Sequence, residues 1–374
     1  MPPIATTMLL KRIYIQNFRN IAHLDIRPSA SINLICGPNG SGKTSFLEAL
    51  SCIALGRSFR GAKTPHLIKH DEQSFVLSSE IEQDNSIHTD TIGIMRSRTR
   101  GESAQLSING QRTNRLIDII DKLCIQVIHP QGTELVTGSP EQRRAFLDWG
   151  IYYSCPQFKE QWLSYRRILD QRNALLKDKN RSIAVSMFSV WDDMLCDLSE
   201  SITKMRENYL AEITSELTRL TSKFLPEIKF DFSLSQGWEK GLKLRDLLSL
   251  NIEKDRNLGY TFYGCHRADL KIKTNQSPAS ETLSRGQIKL LVCAMRLSQG
   301  SELLKQTNKS CVYLVDDINS ELDQHSRSLL LNEILEHNNQ LFITNITNDI
   351  EFSGAKTPML IDIQQEISRP HPGV

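Results

Sequence analysis

The segment from Gly37 to Thr44 has the residue types and spacing that most directly predict chemistry, reading Gly-Pro-Asn-Gly-Ser-Gly-Lys-Thr. It satisfies the pattern G-x-x-x-x-G-K-[ST], whose glycines let backbone N–H groups surround phosphate oxygens at the positive end of a helix. Lys43 is expected to reach the β- and γ-phosphates, and Thr44 to place its hydroxyl on Mg²⁺. The alternative is a glycine-rich turn that opens an ordinary helix. The predicted nucleotide-binding residues here are Gly37, Pro38, Asn39, Gly40, Ser41, Gly42, Lys43 and Thr44.

A second predicted part of this site is the apolar run Val312–Val315, which ends in two carboxylates, Asp316 and Asp317. Mg²⁺ prefers hard oxygen ligands, so Asp316 and Thr44 are the predicted metal ligands. Asp317 occupies the position where similar ATPases have the residue that polarises an attacking water, and this resemblance makes it the predicted catalytic residue together with Lys43.

The elements beside the phosphate loop support the nucleotide interpretation. Residues 32–36 form a short apolar run typical of a buried parallel strand. After the loop, apolar residues recur at helical spacing, at Phe46, Leu47, Leu50, Ile53 and Ala54. Strand, loop and helix therefore stand in the order that a phosphate-binding loop requires.

Residues Leu283 to Gln287 resemble the signature motif of ABC-type ATPases, with Arg285 where transporters usually have a second glycine. Ser284 and Gln287 also form an S-x-x-Q capping box, which predicts a helix N-terminus. The alternative is an ordinary capped helix. As signature residues, Ser284, Gly286 and Gln287 are predicted to bind nucleotide.

Composition sets broad limits on the protein. The chain has 374 residues, 39% of them hydrophobic, and a net charge of +2, so it has room for two domains and no overall charge that demands a polyanion. Its eight cysteines form no C-x-x-C pair, which argues against zinc and disulfides. No apolar run spans a bilayer, and the first seven residues lack signal-peptide features. These patterns predict a reduced cytoplasmic protein without a membrane partner, with Met8 as a candidate start.

The middle of the chain predicts two long amphipathic helices packed antiparallel. One apolar stripe begins at Phe158, and a second runs from Trp191 to Phe224, with a bend predicted between Lys177 and Ser182. Pro226 is expected to end the second helix. Strands are predicted on both sides of this segment, the last at Leu341 to Thr344. We therefore predict a discontinuous head, residues 8–135 and 258–366, and an inserted helical domain, residues 136–257.

Arginines cluster in the first third of the chain and predict contact with DNA phosphates. The alternative is a solvated hairpin, and a second candidate surface is the pair Arg143 and Arg144. The clustered arginines are Arg57, Arg60, Arg96, Arg98, Arg100, Arg112 and Arg115.

Several motifs together resemble the RecF family of the SMC and Rad50 group. They are Asn17-Phe18-Arg19-Asn20 before the phosphate loop, the G-x-H-R-x-D-L-like segment from Gly264 to Leu270, and S-E-L-D at 320–323. The resemblance implies an α/β fold, an ABC-type P-loop ATPase head (Rad50-like) with an inserted helical domain. It also implies that Arg19 lies near the nucleotide, and ABC-type ATPases place a Mg²⁺-sensing glutamine where Gln131 stands.

That family implies a function: ATP and Mg²⁺ as cofactors, and an ATP-dependent homodimer on gapped DNA that works with RecO and RecR to help load RecA. The signature serine, Ser284, would meet the γ-phosphate bound by the opposite subunit. Thr344 and Asn345 stand where transporters place a switch histidine, which predicts slow hydrolysis. The alternatives are an ABC transporter nucleotide subunit, a structural SMC-like protein, and a DNA-binding module with an inactive ATP site.

Overall fold

The computed structural model describes residues 8–83, 89–99, 104–178, 186–347 and 357–368. The chain divides into two compact units, one formed by residues up to 132 and from 289, the other by residues 133–288. The first unit contains the phosphate loop. The second unit includes residues 258–288, which the sequence analysis assigns to the head, and the domain boundaries themselves remain a prediction.

The strands fall into three sheets. They are β1 (Met8–Phe18), β2 (Ile21–Ile26), β3 (Ile32–Cys36), β4 (Ser74–Gln83), β5 (Thr89–Ser97), β6 (Gln105–Ile108), β7 (Gln111–Thr113), β8 (Ile125–Ile128), β9 (Asp231–Ser235), β10 (Asp269–Thr274), β11 (Ser277–Pro278), β12 (Val312–Val315), β13 (Gln340–Asn345) and β14 (Met359–Asp362).

The helices range from single turns to one of 39 residues. They are α1 (Lys43–Leu55), α2 (Thr64–Leu67), α3 (Leu116–Ile120), α4 (Glu134–Thr137), α5 (Pro140–Ser154), α6 (Pro156–Lys177), α7 (Ser186–Phe224), α8 (Leu244–Leu250), α9 (Ile252–Leu258), α10 (Ala279–Thr282), α11 (Arg285–Thr307), α12 (Ile318–Glu321), α13 (Gln324–Glu336) and α14 (Ile363–Ser368), with 3₁₀ turns at Pro130–Thr133 and Cys265–Arg267. Among the described residues, no helix is both long enough and apolar enough to cross a membrane.

A five-stranded parallel sheet positions the predicted nucleotide residues. Its order is β14-β3-β13-β12-β8, and every neighbouring pair is parallel. All residues of β12 and β13 are buried. This is expected for the central strands of a parallel sheet, which are covered on both faces and have nearly continuous apolar sequences. Because parallel strands end at one edge, the phosphate loop after β3, Asn345 at the end of β13 and Asp316 after β12 all lie at that edge. The prediction that β13 is the last strand is wrong, because β14 pairs with β3; its four residues are too short to show a period.

The first unit also contains an antiparallel sheet in the order β2-β1-β4-β5-β6-β7. Strands β1 and β2 form an antiparallel hairpin before the phosphate loop, with Phe18 opposite Ile21 at its closed end. Buried residues alternate regularly along β4, as in a strand with one face on a core. This sheet places the turn residues Arg19 and Asn20.

The second unit contains the predicted antiparallel helix pair. Arg206, midway along α7, lies over the ring of Trp162, early in α6, at 5.7 Å. Conversely Arg172, late in α6, bonds Asp192, early in α7, at 2.7 Å. These crossed contacts require opposite helix directions. Helix α7 ends just before Pro226, as predicted, while residues 179–182 of the predicted bend lie outside the described part of the chain.

A buried guanidinium ties three segments of the second unit together. Arg172 is fully buried, and it donates to Asp192 on α7, Asp255 on α9 and the hydroxyl of Thr261. Burial raises the pKa of the Asp192 carboxyl, and the neighbouring Arg172 opposes that rise. A cation held this deep is tolerated only because carboxylates of opposite charge are hydrogen-bonded to it.

We expect Arg172→Leu to lower the free energy of unfolding by about 3–5 kcal/mol, because it leaves two buried carboxylates without their cation. Urea denaturation measures this loss. The control is Arg245→Leu, since Arg245 pairs with Asp193 on the surface; it should cost less than about 1 kcal/mol. Equal losses in the two variants would contradict the proposed role of the buried pair.

Candidate nucleotide site

The phosphate loop has the backbone geometry that its glycines predict. Gly40 and Gly42 have φ of 81° and 110°, values that side-chain-bearing residues rarely adopt. A Cβ on Gly37 would lie 2.6 Å from the Ser41 hydroxyl oxygen. The crest of the loop, residues 38–40, is exposed, while Ser41 is buried, and its hydroxyl has no partner among the described residues. The loop therefore leaves residues 38–40 open to solvent and one buried hydroxyl, that of Ser41, for a ligand.

Lys43 folds back over its own loop. Its ammonium donates to the carbonyl oxygens of Gly37 at 2.6 Å and Pro38 at 2.9 Å. Burial lowers the pKa of Lys43, and the nearby Asp317 and Asp316 carboxylates oppose that change. The cation thus lies between the loop and the carboxylates, where the sequence predicts the phosphates.

The Asp316 carboxylate connects the helix after β3 with the end of β13. Its oxygens accept hydrogen bonds from the Thr44 hydroxyl at 3.1 Å and from the Thr344 hydroxyl at 2.8 Å. Burial raises the pKa of Asp316, and the bonds from Thr344 and Thr44 oppose the rise. The two predicted metal ligands therefore lie in direct contact, and the oxygen donor set suits Mg²⁺.

Asp317 has an unusual backbone conformation. Its φ of 52° and ψ of 51° are left-handed, and its N–H donates to the Thr344 hydroxyl at 2.8 Å. Asp and Asn are the side-chain-bearing residues that visit this region most readily. The chain thus turns sharply after Asp316, and the short carboxylate at this position suits the backbone.

Thr344 is a functional candidate. The sequence analysis notes it only because it stands where transporters have a switch histidine, and assigns it no role. Its hydroxyl donates to Asp316 and accepts from the N–H of Asp317, so it positions both residues of the carboxylate pair. The signal in the sequence was a hydroxyl at the end of an otherwise apolar buried strand.

In the turn before the phosphate loop, Arg19 contacts α1 and Asn20 contacts the loop. Arg19 donates twice, at 2.8 Å each, to the fully buried Glu48 carboxylate of α1, and once to the His66 carbonyl. Asn20 donates to the Gly40 carbonyl at 3.1 Å and accepts from Ser45 at 2.8 Å. The structure thus gives Arg19 a positioning role on α1, while its predicted nucleotide contact remains a prediction. Asn20 contacts the loop itself.

Glu48 is a second residue that the sequence analysis misses. It accepts from Arg19 and from the Ser58 hydroxyl, so it links the hairpin turn, α1 and the loop that follows α1. A lone carboxylate in an otherwise apolar helix is the signal that could have found it, since a buried charge needs a cation.

Gln131 lies in the 3₁₀ turn after β8, at the same sheet edge as Asp316. Its side-chain oxygen is 3.1 Å from Nδ1 of His129, whose ring packs against Phe59 at 4.7 Å. Burial lowers the pKa of His129 to about 4, so this ring is neutral at pH 7. Gln131 itself is exposed, as its predicted role requires.

The signature residues form the predicted helix N-terminus in the second unit. The Ser284 N–H donates to the Gln287 side chain at 2.9 Å, and the Gln287 N–H donates to the Ser284 hydroxyl at 3.3 Å, which confirms the capping box. Ser284 and Gly286 are exposed, and a Cβ on Gly286 would meet nothing within 4 Å. This surface is open to a partner.

The predicted basic residues have different environments. Arg57, Arg60 and Arg112 are exposed, and Arg115 lies 3.6 Å from Asp118. Arg96 and Arg98 donate to backbone carbonyls and so brace loops, while Arg100 lies outside the described residues.

The second candidate basic surface, Arg143 and Arg144, is used within its own unit. Arg143 pairs with Asp269 at 2.6 Å, and Arg144 donates to the Ala268 carbonyl at 2.7 Å. The segment from Gly264 to Leu270 is thereby structural: His266 lies 2.6 Å from the Tyr165 hydroxyl, and burial lowers the pKa of His266 to about 4.

The parallel sheet, the phosphate loop and the carboxylates at its edge define an ABC-type P-loop ATPase head. The family model of the RecF/RecN/SMC N-terminal domain matches residues 9–368. The DNA replication and repair protein RecF of Vibrio cholerae serotype O1 is 41% identical over 341 residues, covering 91% of this chain and 93% of that protein. RecF of Actinobacillus pleuropneumoniae serotype 5b is 39% identical over 362 residues, covering 96% and 99%. The chain belongs to the RecF family.

Solved structures agree with this assignment. The structure of the recombination mediator protein RecF with ATP, of the RecFOR pathway, has a TM-score of 0.85 at 26% identity and covers 94% of this chain and 95% of that chain. An Smc head bound to the C-winged helix domain of ScpA has a TM-score of 0.54 at 16% identity, covers 91% and 90%, and shows the shared fold alone. The predicted α/β head of ABC type is confirmed.

We expect Asp317→Glu to lower the free energy of unfolding by about 1 kcal/mol, because a longer side chain is disfavoured in the left-handed region. Asp317→Asn should change it by less than about 0.5 kcal/mol, since Asn tolerates that backbone. Chemical denaturation measures both. Asp121→Glu is the control, because Asp121 is exposed and has an ordinary φ of −64°. A loss in the control as large as that of Asp317→Glu would refute the backbone explanation.

Proposed function

We propose that this chain is an ATP-dependent DNA-binding protein of recombinational repair and replication restart. The observation that carries the proposed ATP binding is the contact of Thr44 with Asp316 beside a phosphate loop that has the expected backbone conformation. The proposed DNA binding is supported by similarity to proteins described as DNA replication and repair protein RecF and as a recombination mediator. ATP is the proposed ligand, as in the solved RecF relative.

Each residue of the site has a proposed task. The loop N–H groups and Lys43 bind the phosphates, and Lys43 exchanges its bonds to the loop carbonyls for phosphate oxygens. Thr44 and Asp316 would hold Mg²⁺, which supplies charge neutralisation between the phosphates. Asp317 orients and polarises the attacking water. Arg19 and Gln131 remain proposed nucleotide contacts.

The ATP-bound form is proposed to be a homodimer. Ser284, Gly286 and Gln287 form an exposed helix N-terminus, which favours an anion such as the γ-phosphate held by a second subunit. Moving a monomer–dimer balance from 1:99 to 99:1 requires about 5.5 kcal/mol, or about 2.7 kcal/mol for each of two sites. Charge-assisted hydrogen bonds at a helix N-terminus are of the right order to supply it.

Slow hydrolysis fits a clamp better than a motor. The Thr344 hydroxyl, at the position of the usual switch histidine, is already bonded to Asp316 and to the N–H of Asp317. It is therefore engaged in holding the carboxylates. We propose that the dimer clamps gapped DNA until hydrolysis releases it, and that it acts with RecO and RecR to help load RecA. The exposed arginines Arg57, Arg60 and Arg112 are the proposed phosphate contacts.

We expect Lys43→Ala to abolish both ATP binding and dimer formation, because the phosphates lose their cation. Ser284→Ala should retain ATP binding and lose the dimer, because it removes only the contact across subunits. Nucleotide titration and analytical sedimentation with ATP, with ADP and without nucleotide measure the two effects. Normal dimers of Ser284→Ala would refute the signature role, and unchanged ATP affinity of Lys43→Ala would refute the phosphate site.

We expect Asp317→Asn to trap an ATP-bound dimer on DNA, since Asp316 still holds the metal while water is no longer polarised. Each 1.36 kcal/mol of lost transition-state stabilisation slows the reaction about tenfold. Single-turnover ATP cleavage and dimer lifetime, measured side by side, test the expectation. Fast turnover by the unmutated protein that DNA does not affect would indicate a motor and contradict the clamp.

A further inference from the structure

The last helix of the described chain, α14, begins beside the phosphate loop. Strand β14 pairs with β3 in parallel, and its final residue, Asp362, lies opposite Cys36. The residue after Asp362 is Ile363, which begins α14, and the residue after Cys36 is Gly37, which begins the phosphate loop. The C-terminal helix and the phosphate loop therefore start next to each other at the same edge of the sheet.

Two isoleucines of α14 occupy the space beside the first and last glycines of the loop. A Cβ on Gly37 would lie 3.1 Å from Cγ2 of Ile363, and a Cβ on Gly42 would lie 3.3 Å from Cδ1 of Ile367. Ile363 is fully buried, and Ile367 is partly buried. A Cβ on Gly40, in contrast, would meet nothing within 4 Å. Helix α14 thus contacts both ends of the loop and leaves its crest open.

Gly42 is contacted by a second segment as well. A Cβ at this position would lie 3.1 Å from the side-chain nitrogen of Asn20, which donates to the Gly40 carbonyl. Gly42 is the residue before α1, and its φ of 110° sets the direction in which that helix and Lys43 leave the loop. The contacts of Asn20 and Ile367 therefore act on the residue that positions the lysine.

The loop needs such contacts because of its composition. Its three glycines have positive φ, and glycine adopts many other backbone conformations almost as readily. Only a loop with its N–H groups already converging binds phosphate, so the apparent affinity is reduced by the fraction of molecules that have this conformation. Side chains that pack on the glycines can therefore raise nucleotide affinity without touching the nucleotide.

We propose that α14 braces the phosphate loop in its nucleotide-binding conformation, through Cγ2 of Ile363 and Cδ1 of Ile367. The inference rests on the proposed ATP binding and deepens it, since it names two positioning residues of that site. Both side chains are purely apolar, so they act through Gly37 and Gly42 and not by hydrogen bonding to phosphate. The ATP site of the head thus includes residues more than 300 positions beyond the phosphate loop.

The test exchanges the same two substitutions between the two positions. Valine retains Cγ2 but lacks Cδ1, whereas leucine has δ-carbons but lacks Cγ2. Ile367→Val and Ile363→Leu therefore remove the contacting atom, while Ile367→Leu and Ile363→Val keep a carbon at that level of the side chain. Displacement of a fluorescent ATP analogue, by ATP and by inorganic tripolyphosphate, measures the affinity of each variant.

The two variants that lose the contacting atom should bind ATP and tripolyphosphate about fivefold more weakly, as for a loop that is competent about a fifth of the time. The two that keep a carbon there should stay within about twofold of the unmutated protein, because volume-conserving changes are tolerated best. A merely structural role predicts a different pattern, since each valine removes one methylene from a packed site and both should then behave alike.

Hydrogen exchange and kinetics give a second readout. Without nucleotide, the amides of residues 39–42 should exchange faster in Ile367→Val than in the unmutated protein. Single-turnover ATP cleavage at saturating ATP should be unchanged, because an occupied loop is already in its binding conformation. The control is Ile117→Val on α3, a partly exposed position beside the other end of α1, which should alter neither affinity nor exchange.

The outcomes separate this inference from the proposed function. If the unmutated protein binds ATP and all four variants bind it equally well, or the two valine variants lose affinity equally, the brace is overturned and the proposed function stands. If affinity falls for ATP but not for tripolyphosphate, the isoleucines contact the base or ribose, and the brace is again overturned. If the unmutated protein binds no ATP, both the inference and the proposed function are overturned.

Discussion

The contact on which the site depends is the pair of hydroxyl bonds to the Asp316 carboxylate. Thr44 comes from the helix after β3, Thr344 is the next-to-last residue of β13, and Asp316 follows β12, so one carboxylate joins three consecutive strand ends across the sheet edge. A buried carboxylate without such donors would be strongly disfavoured. The same bonds leave oxygen atoms of Thr44 and Asp316 side by side, where a divalent cation is expected.

A second buried carboxylate, Glu48, connects that site to its surroundings. The same helix, α1, carries Lys43 and Thr44 at its start and Glu48 one turn further, so the ion pair with Arg19 and the bond from Ser58 act on a single rigid element. Any shift of α1 on nucleotide binding must move these partners or break a buried charge pair, which is costly. The proposed nucleotide and DNA surfaces are therefore linked by ordinary side-chain contacts.

The sequence predicts those features that follow from local periodicity or an ordered motif. The phosphate loop, the carboxylate strand, the capping box at Ser284 and the antiparallel helix pair are all found in the structure. It does not predict contacts between residues far apart in the chain. Asp316 to Thr344, Arg19 to Glu48 and Arg143 to Asp269 each depend on tertiary packing. Charge clustering alone could not distinguish Arg96, which braces a loop, from Arg57, which is exposed.

The left-handed backbone at Asp317 also bears on how this protein can vary. Codons for aspartate and glutamate differ only in their third base, so replacement by glutamate is a single genetic step away. The local turn, with its N–H bonded to Thr344, opposes that step before any effect on activity is felt. Lengthening the carboxylate without strain would need a second change that relaxes the turn. Evolution from aspartate to glutamate at this position would therefore pass through a less stable protein unless the turn changed first, so the backbone restricts which substitutions can accumulate here.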